Sequence, residues 1–207
     1  MSIRVGIADY GVGNLRSVAN AIKAVGGEPF LEADPNAMRQ YDKVILPGVG
    51  AFGNAIACLR NTGMADALTE LVNSGKPTLG ICLGMQLMCT DSEEGGFFQG
   101  LNWFPAHVRL FPSRLGVKVP QIGWNNLEFT QDHFLFNGLK SGCDVYFVHS
   151  YRVECENTQH ALALCDYGEP YAAIIGRDNV WGFQFHPEKS QRVGLAMLKN
   201  FIEHRHM

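Results

Sequence analysis

The sequence predicts an α/β fold: a doubly wound, mostly parallel sheet flanked by helices, with an additional antiparallel strand section. Three observations carry this. Short apolar strand runs alternate with amphipathic helical patterns, and strands give way to helices through short glycine turns. Beyond Gln86 the alternation stops, and aromatic-rich runs separated by turns replace it.

The chain opens with the strand pattern 3–8 and the turn Asp9-Tyr10-Gly11-Val12-Gly13-Asn14. Over 15–25 the residues Leu15, Val18, Ala19, Ile22 and Val25 keep helical spacing, and Gly26-Gly27 is a C-terminal stop. Strand, glycine turn and helix also suit a dinucleotide fingerprint, but Gly11-x-Gly13 lacks a third glycine in register. Asn14, at the mouth of the turn, is either a local cap or a contact surface. Residues 29–32 suggest a second strand, Asp34-Pro35 a helix start and 43–46 a third strand. That strand ends in Pro47-Gly48-Val49-Gly50-Ala51-Phe52-Gly53. Its glycines would let the backbone approach a ligand and turn a peptide N–H outward, although a tight loop with no guest fits equally. Helical patterns follow over about 51–59 and 64–73, the second stopped by Gly75 and Pro77.

The next strand, 78–82, ends in Gly80-Ile81-Cys82-Leu83-Gly84-Met85-Gln86. G-x-C-x-G is the thiol counterpart of the strand-turn-helix nucleophile elbow, in which the nucleophile occupies a strained turn and close packing excludes side chains from the flanking positions. Such a turn would place the Cys82 sulfur at the N-terminus of a helix beginning near Met85, where unpaired N–H groups favour an anion. The competing reading is a small buried hydrophobe.

Further on, Glu93-Glu94-Gly95-Gly96 and the run to Phe111 read as a turn and antiparallel strands. Residues 117–125 read as a strand giving way to a loop with an exposed Trp124. Strands are also expected at 144–148, which ends in His149-Ser150-Tyr151, and at 161–165 and 171–175. The last strand, 180–185, runs into His186-Pro187-Glu188-Lys189-Ser190. Pro187 cannot donate to a ladder, so His186 is left at the strand end. Glu188, two residues on, can face the same way and accept from the ring N–H. Ser190 is expected to cap a final helix with Val193, Met197, Phe201 and Ile202 inward. A base and its supporting carboxylate are what a cysteine nucleophile needs.

With 207 residues and a formal charge of −3, the chain is expected to be one soluble domain over 1–207. It shows no basic stripe for nucleic acid or an anionic membrane and no apolar run of spanning length. A cytoplasmic location is expected. The six cysteines include no C-x-x-C pair, no metal-ligand spacing is present, and His204-Arg205-His206 reads as a solvated end; neither metal nor cofactor is expected.

The segments 80–86, Pro47-Gly48-Val49-Gly50 and Phe183-Gln184-Phe185-His186-Pro187-Glu188 resemble the triad-type (class I) glutamine amidotransferases. Pro120-Gln121-Ile122-Gly123-Trp124-Asn125 and 146–151 make the chain similar, more narrowly, to glutaminase subunits of imidazole glycerol phosphate synthases. The resemblance runs from Asp9 to Lys189. It implies a flavodoxin-like class I amidotransferase fold, a Cys82–His186–Glu188 triad that hydrolyses L-glutamine to glutamate and ammonia, and oxyanion donors at Leu83 and Val49. It implies glutamine-binding roles for Gly50, Gln86, Glu94, Ser150 and Tyr151. It further implies a heterodimer with a (β/α)₈-barrel cyclase subunit that uses the ammonia to make imidazole glycerol phosphate and AICAR in histidine biosynthesis, docked through Asn14, Trp124 and Lys189. Three alternatives stay open on sequence: a glutaminase subunit of the anthranilate, aminodeoxychorismate or pyridoxal phosphate pathways, a flavodoxin-like binding module, and a pseudoenzyme acting only as a scaffold.

Overall fold

The computed structural model describes residues 2–204. In chain order its first half holds β1 (Arg4–Ala8), α1 (Leu15–Ala24), β2 (Glu28–Glu32), β3 (Lys43–Gly48), α2 (Phe52–Asn61), α3 (Met64–Asn73), β4 (Thr78–Cys82) and α4 (Leu83–Leu87). The second half holds β5 (Cys89–Ser92), β6 (Phe98–Gln99), β7 (Phe104–Leu110), β8 (Gln121–Phe129), β9 (Cys143–His149), β10 (Tyr151–Cys155), β11 (Ala161–Asp166), β12 (Pro170–Arg177), β13 (Val180–Phe183) and α5 (Gln191–Glu203).

Strands β2-β1-β3-β4-β13 pair in that order, all parallel. β12 then runs antiparallel to β13, and the sheet continues through β10 and β7 to β5 and β6, with β11, β8 and β9 branching from β12. Strands β3 and β4 are buried on both faces. They therefore read as continuous apolar runs, as expected for a parallel sheet covered on both sides. Val18 and Ile22 of α1 and Met197 and Phe201 of α5 cover one face; Phe52, Ile56, Leu68 and Met85 of α2–α4 cover the other. Because these strands point the same way, the carboxyl ends of β3, β4 and β13 meet on one edge. Gly48 pairs with Cys82 and Phe183 with Ile81, so residues far apart in sequence become neighbours.

The fold class is the one the sequence predicts, but several elements differ. The helix expected at Asp34-Pro35 is only a 3₁₀ turn at Ala37–Gln40, because Asp34 Oδ1 accepts from the Asn36 N–H in an Asx turn. The helix placed near Met85 starts at Leu83. Trp124 and Asn125, read as loop, lie inside β8, because the hairpin pairs them with Tyr146 and Val145. Ser190 occupies the N-cap position of α5 without capping it: its hydroxyl donates to the His186 carbonyl and accepts from the Tyr146 N–H. His204, expected in solvent, stacks on Phe134 with ring centroids 3.6 Å apart; Arg205 and His206 lie outside the described residues. No described helix is long and apolar enough to cross a membrane.

Candidate active site

Cys82 is the last residue of β4, and α4 begins at the next residue, so the chain reverses at a single position. The backbone there takes φ 53° and ψ −112°, a conformation that costs a non-glycine residue on the order of 1–3 kcal/mol. The flanking glycines follow from packing. A Cβ on Gly84 would lie 1.8 Å from the Leu46 carbonyl oxygen, and one on Gly80 would lie 2.7 Å from the Met85 nitrogen. With no side chain at either position α4 sits hard against β3 and β4 and holds the thiol, 7% exposed, on the sheet edge.

His186 reaches the same edge from the end of β13. Along this strand Trp181, Phe183 and Phe185 belong to the core under α1 and α5. The period of two turns Gln184 and His186 the other way, toward Cys82. The ring Nδ1 of His186 lies 2.8 Å from Glu188 Oε1, and the ring shares a cavity wall with Cys82. Burial works most strongly against the charged ring, yet the hydrogen bonds and charges of Cys82 and Glu188 outweigh it and raise the His186 pKa to about 9. An imidazole held by a carboxylate and facing the same cavity as a thiol can accept, hold and return a proton.

A cavity of about 310 Å³ opens over the thiol. Cys82, Leu83 and His186 line it with Val49 and Gly50 from the loop after β3. Gln86, Glu94, Ser150, Tyr151 and Lys189 also line it. Glu188 is not on the wall and acts on the cavity only through His186. Asn14 and Trp124 are also absent from the lining. Asn14 is exposed at the N-cap position of α1, with no side-chain cap bond. Trp124, 47% exposed, stands edge-on to Tyr146 with centroids 5.9 Å apart, and Lys189 Nζ lies 5.9 Å from the same ring. Lys189 thus joins the cavity rim to an outward aromatic pair. A larger hollow, about 890 Å³ between Phe129 and Ser141, carries no Cys–His pair.

Hydrogen bonds among these residues, and from Tyr10, His149 and Gln184, to which the sequence assigns no role, complete the site. Gln86 Nε2 donates to the Tyr151 carbonyl at 3.0 Å and to Gln184 Oε1 at 2.9 Å; Gln184 Nε2 lies 3.9 Å from Cys82 Sγ. Both N–H bonds of Gln86 are engaged, so only its Oε1 is left for a guest. Glu94 Oε2 accepts from the Phe52 N–H at the start of α2. Tyr10 donates to the Pro47 carbonyl at 2.7 Å, next to the Gly48–Val49 peptide. His149, also on the wall, bonds to the Tyr151 carbonyl and to Tyr171; burial first, and the nearby His186 charge after it, push its pKa down to about 4. Gln184 and His149 share a strand parity or a wall with residues already singled out, which is the signal by which they are found.

The glutamine amidotransferase class-I family pattern matches residues 7–204. The imidazole glycerol phosphate synthase subunit HisH of Symbiobacterium thermophilum is 48% identical over 96% of this chain and 92% of its own length. The HisH subunit of Methanosarcina mazei is likewise 48% identical, over 97% of this chain and 98% of that protein. A crystal structure of a glutamine amidotransferase superposes with a TM-score of 0.73 at 20% identity, over 95% of this chain and 98% of that one. PurLQS of Thermotoga maritima gives 0.71 at 20% identity, over 97% and 96%; these two likenesses speak for the fold. The chain belongs to the class-I glutamine amidotransferase family, whose members hydrolyse glutamine, and within it groups with the HisH subunits.

Proposed function

We propose that this chain is the glutaminase subunit of an imidazole glycerol phosphate synthase, with Cys82, His186 and Glu188 as its catalytic triad. The observation that carries the reading is that Cys82 from the end of β4 and His186 from beyond the end of β13 line one cavity, with Glu188 bonded to the imidazole behind the wall. Cys82 as thiolate attacks the side-chain amide carbon of glutamine. The protonated His186 then gives its proton to the departing ammonia, leaving a glutamyl thioester. A water that loses its proton to His186 attacks the thioester, glutamate leaves, and the thiol is restored. The Leu83 N–H and the Val49 N–H receive the tetrahedral oxyanion, each such donor being worth about 10²–10³ in rate. Glu94 offers the counter-charge for the substrate ammonium, Gln86 its Oε1, and Gly50, Ser150 and Tyr151 the surrounding surface.

Ammonia released into neutral water is protonated and no longer nucleophilic, so it must pass directly to an acceptor site. The partner proposed is a (β/α)₈-barrel cyclase subunit in a heterodimer, docked on Asn14, Trp124 and Lys189, with the product entering histidine biosynthesis as imidazole glycerol phosphate and AICAR. The names of the relatives support this partner. Tyr10 bonds to the Pro47 carbonyl beside the Gly48–Val49 peptide, and Val49 lines the cavity, so a partner that moves this loop can set the oxyanion donor. Six unpaired cysteines, Cys82 among them, suit a reducing, cytoplasmic setting. The test is reconstitution with the cyclase and its nucleotide ligand. A one-to-one complex whose glutamate release exceeds that of the isolated chain by orders of magnitude supports the reading; equal rates with and without partner overturn the gated site.

A further inference from the structure

Gln184 is fully buried, and the polarity of its amide is fixed by a chain of contacts starting at a backbone carbonyl. The Tyr151 carbonyl can only accept, so Gln86 must turn its Nε2 toward it. The second hydrogen of that nitrogen points at Gln184, which must answer with Oε1. Its own Nε2 is thereby committed to the sulfur side, 3.9 Å from Sγ. Position 184 is also the place next to Cys82 in the sheet, because the β4–β13 register ends at Ile81 and Phe183. Its backbone N–H bonds to the Ala173 carbonyl at 2.9 Å, so the residue just past the end of β13 is still anchored to β12.

We propose that Gln184 is a positioning residue for the nucleophile: its locked amide can present only a donor to Cys82 and so steadies the sulfur as an anion, while Gln86 ties that lock to the substrate-facing Tyr151. The proposal rests on Cys82 being the nucleophile. A contact of 3.9 Å is long even for sulfur, and such bonds in substrate-free sites tighten when the reacting complex forms. A carboxylate or thioether at 184 removes the donor with little change of volume. If Gln184 merely filled the core, Gln184→Met would therefore be silent at the sulfur.

The experiment follows iodoacetamide alkylation of the Cys82 peptide from about pH 5 to about pH 10 in wild type, Gln184→Met and Gln184→Glu, with thermal melting as the check on folding. The expected result is an upward move of the alkylation midpoint by about one pH unit in Gln184→Met, hence about a tenfold slower reaction at pH values below both midpoints. A larger move is expected in Gln184→Glu, whose carboxylate faces the sulfur. Gln184→Glu, nearly identical in shape to the native residue, decides the matter if the methionine variant melts too low. Profiles that overlay wild type in a folded variant overturn the role of Gln184. A wild-type Cys82 no more reactive than Cys58 instead overturns the nucleophile reading beneath it.

Discussion

The Nδ1 of His186 lies 2.8 Å from Oε1 of Glu188, two residues along the chain, with the two side chains 5% and 2% exposed. This pair and the adjacent sulfur raise the His186 pKa from 6.5 to about 9 against the opposing effect of burial. Below pH 6.5 the ring is protonated in both folded and unfolded chains, and its stabilisation is fully present. Between 6.5 and 9 only the folded chain keeps the proton, so the contribution falls, and above 9 it is gone. Glu188→Gln is therefore expected to melt below wild type on the acid side of this window, with the gap closing as pH rises through 9. Thermal melts across the range check it. Lys43, lowered by burial to about 8, adds an opposite slope that cancels in the comparison.

Backbone strain at Cys82 gives a second expectation. Glycine tolerates φ 53°, ψ −112°, whereas alanine meets the same penalty as cysteine. Neither variant has a thiol, and Cys82→Gly is expected to be more stable than Cys82→Ala by about 1 kcal/mol. Denaturant titration of the two variants measures the difference; an alanine variant equal to or above glycine would show that the turn is unstrained.

Gly84→Ala places a methyl carbon 1.8 Å from the Leu46 carbonyl, and neither backbone can yield without lifting α4 off β3. A loss of more than about 2 kcal/mol is expected, with loss of the thiol's reactivity because α4 sets the elbow. Melting temperature and Cys82 alkylation, read together, report both effects.

The geometry at Glu94 separates charge from hydrogen bonding. Glu94→Gln keeps an acceptor for the Phe52 N–H and loses the carboxylate, whereas Glu94→Ala loses both. Both variants are expected to raise KM for glutamine about tenfold or more. Only alanine is expected also to lower stability, by about 1 kcal/mol, through the freed N–H at the start of α2. Steady-state kinetics in the complex and melting of the isolated chain check the two halves.

Where local sequence decides the structure, the sequence alone suffices. The α3 span Met64–Asn73 is legible because apolar spacing and the Gly75 stop agree with its packing. The elbow is legible because the tightness that demands Gly80 and Gly84 leaves a mark in sequence. Elsewhere a non-local partner decides. β5, Cys-Thr-Asp-Ser, is a strand because β6 and β7 pair with it, and Trp124 leaves its expected loop because Tyr146 lies opposite. The Gln86–Gln184 lock joins positions 98 residues apart and has no local signature. The His186–Glu188 pair, two residues apart, does have one.

The most direct measurement is mass analysis of the complex with the proposed cyclase partner, quenched in acid during glutamine turnover, with each cysteine-bearing peptide resolved. The expected result is a glutamyl adduct on Cys82 and on none of the other five cysteines, and its absence in Cys82→Ala together with loss of glutamate release. Glutamate release that persists in a folded Cys82→Ala complex, or an adduct on another cysteine, would contradict the assignment.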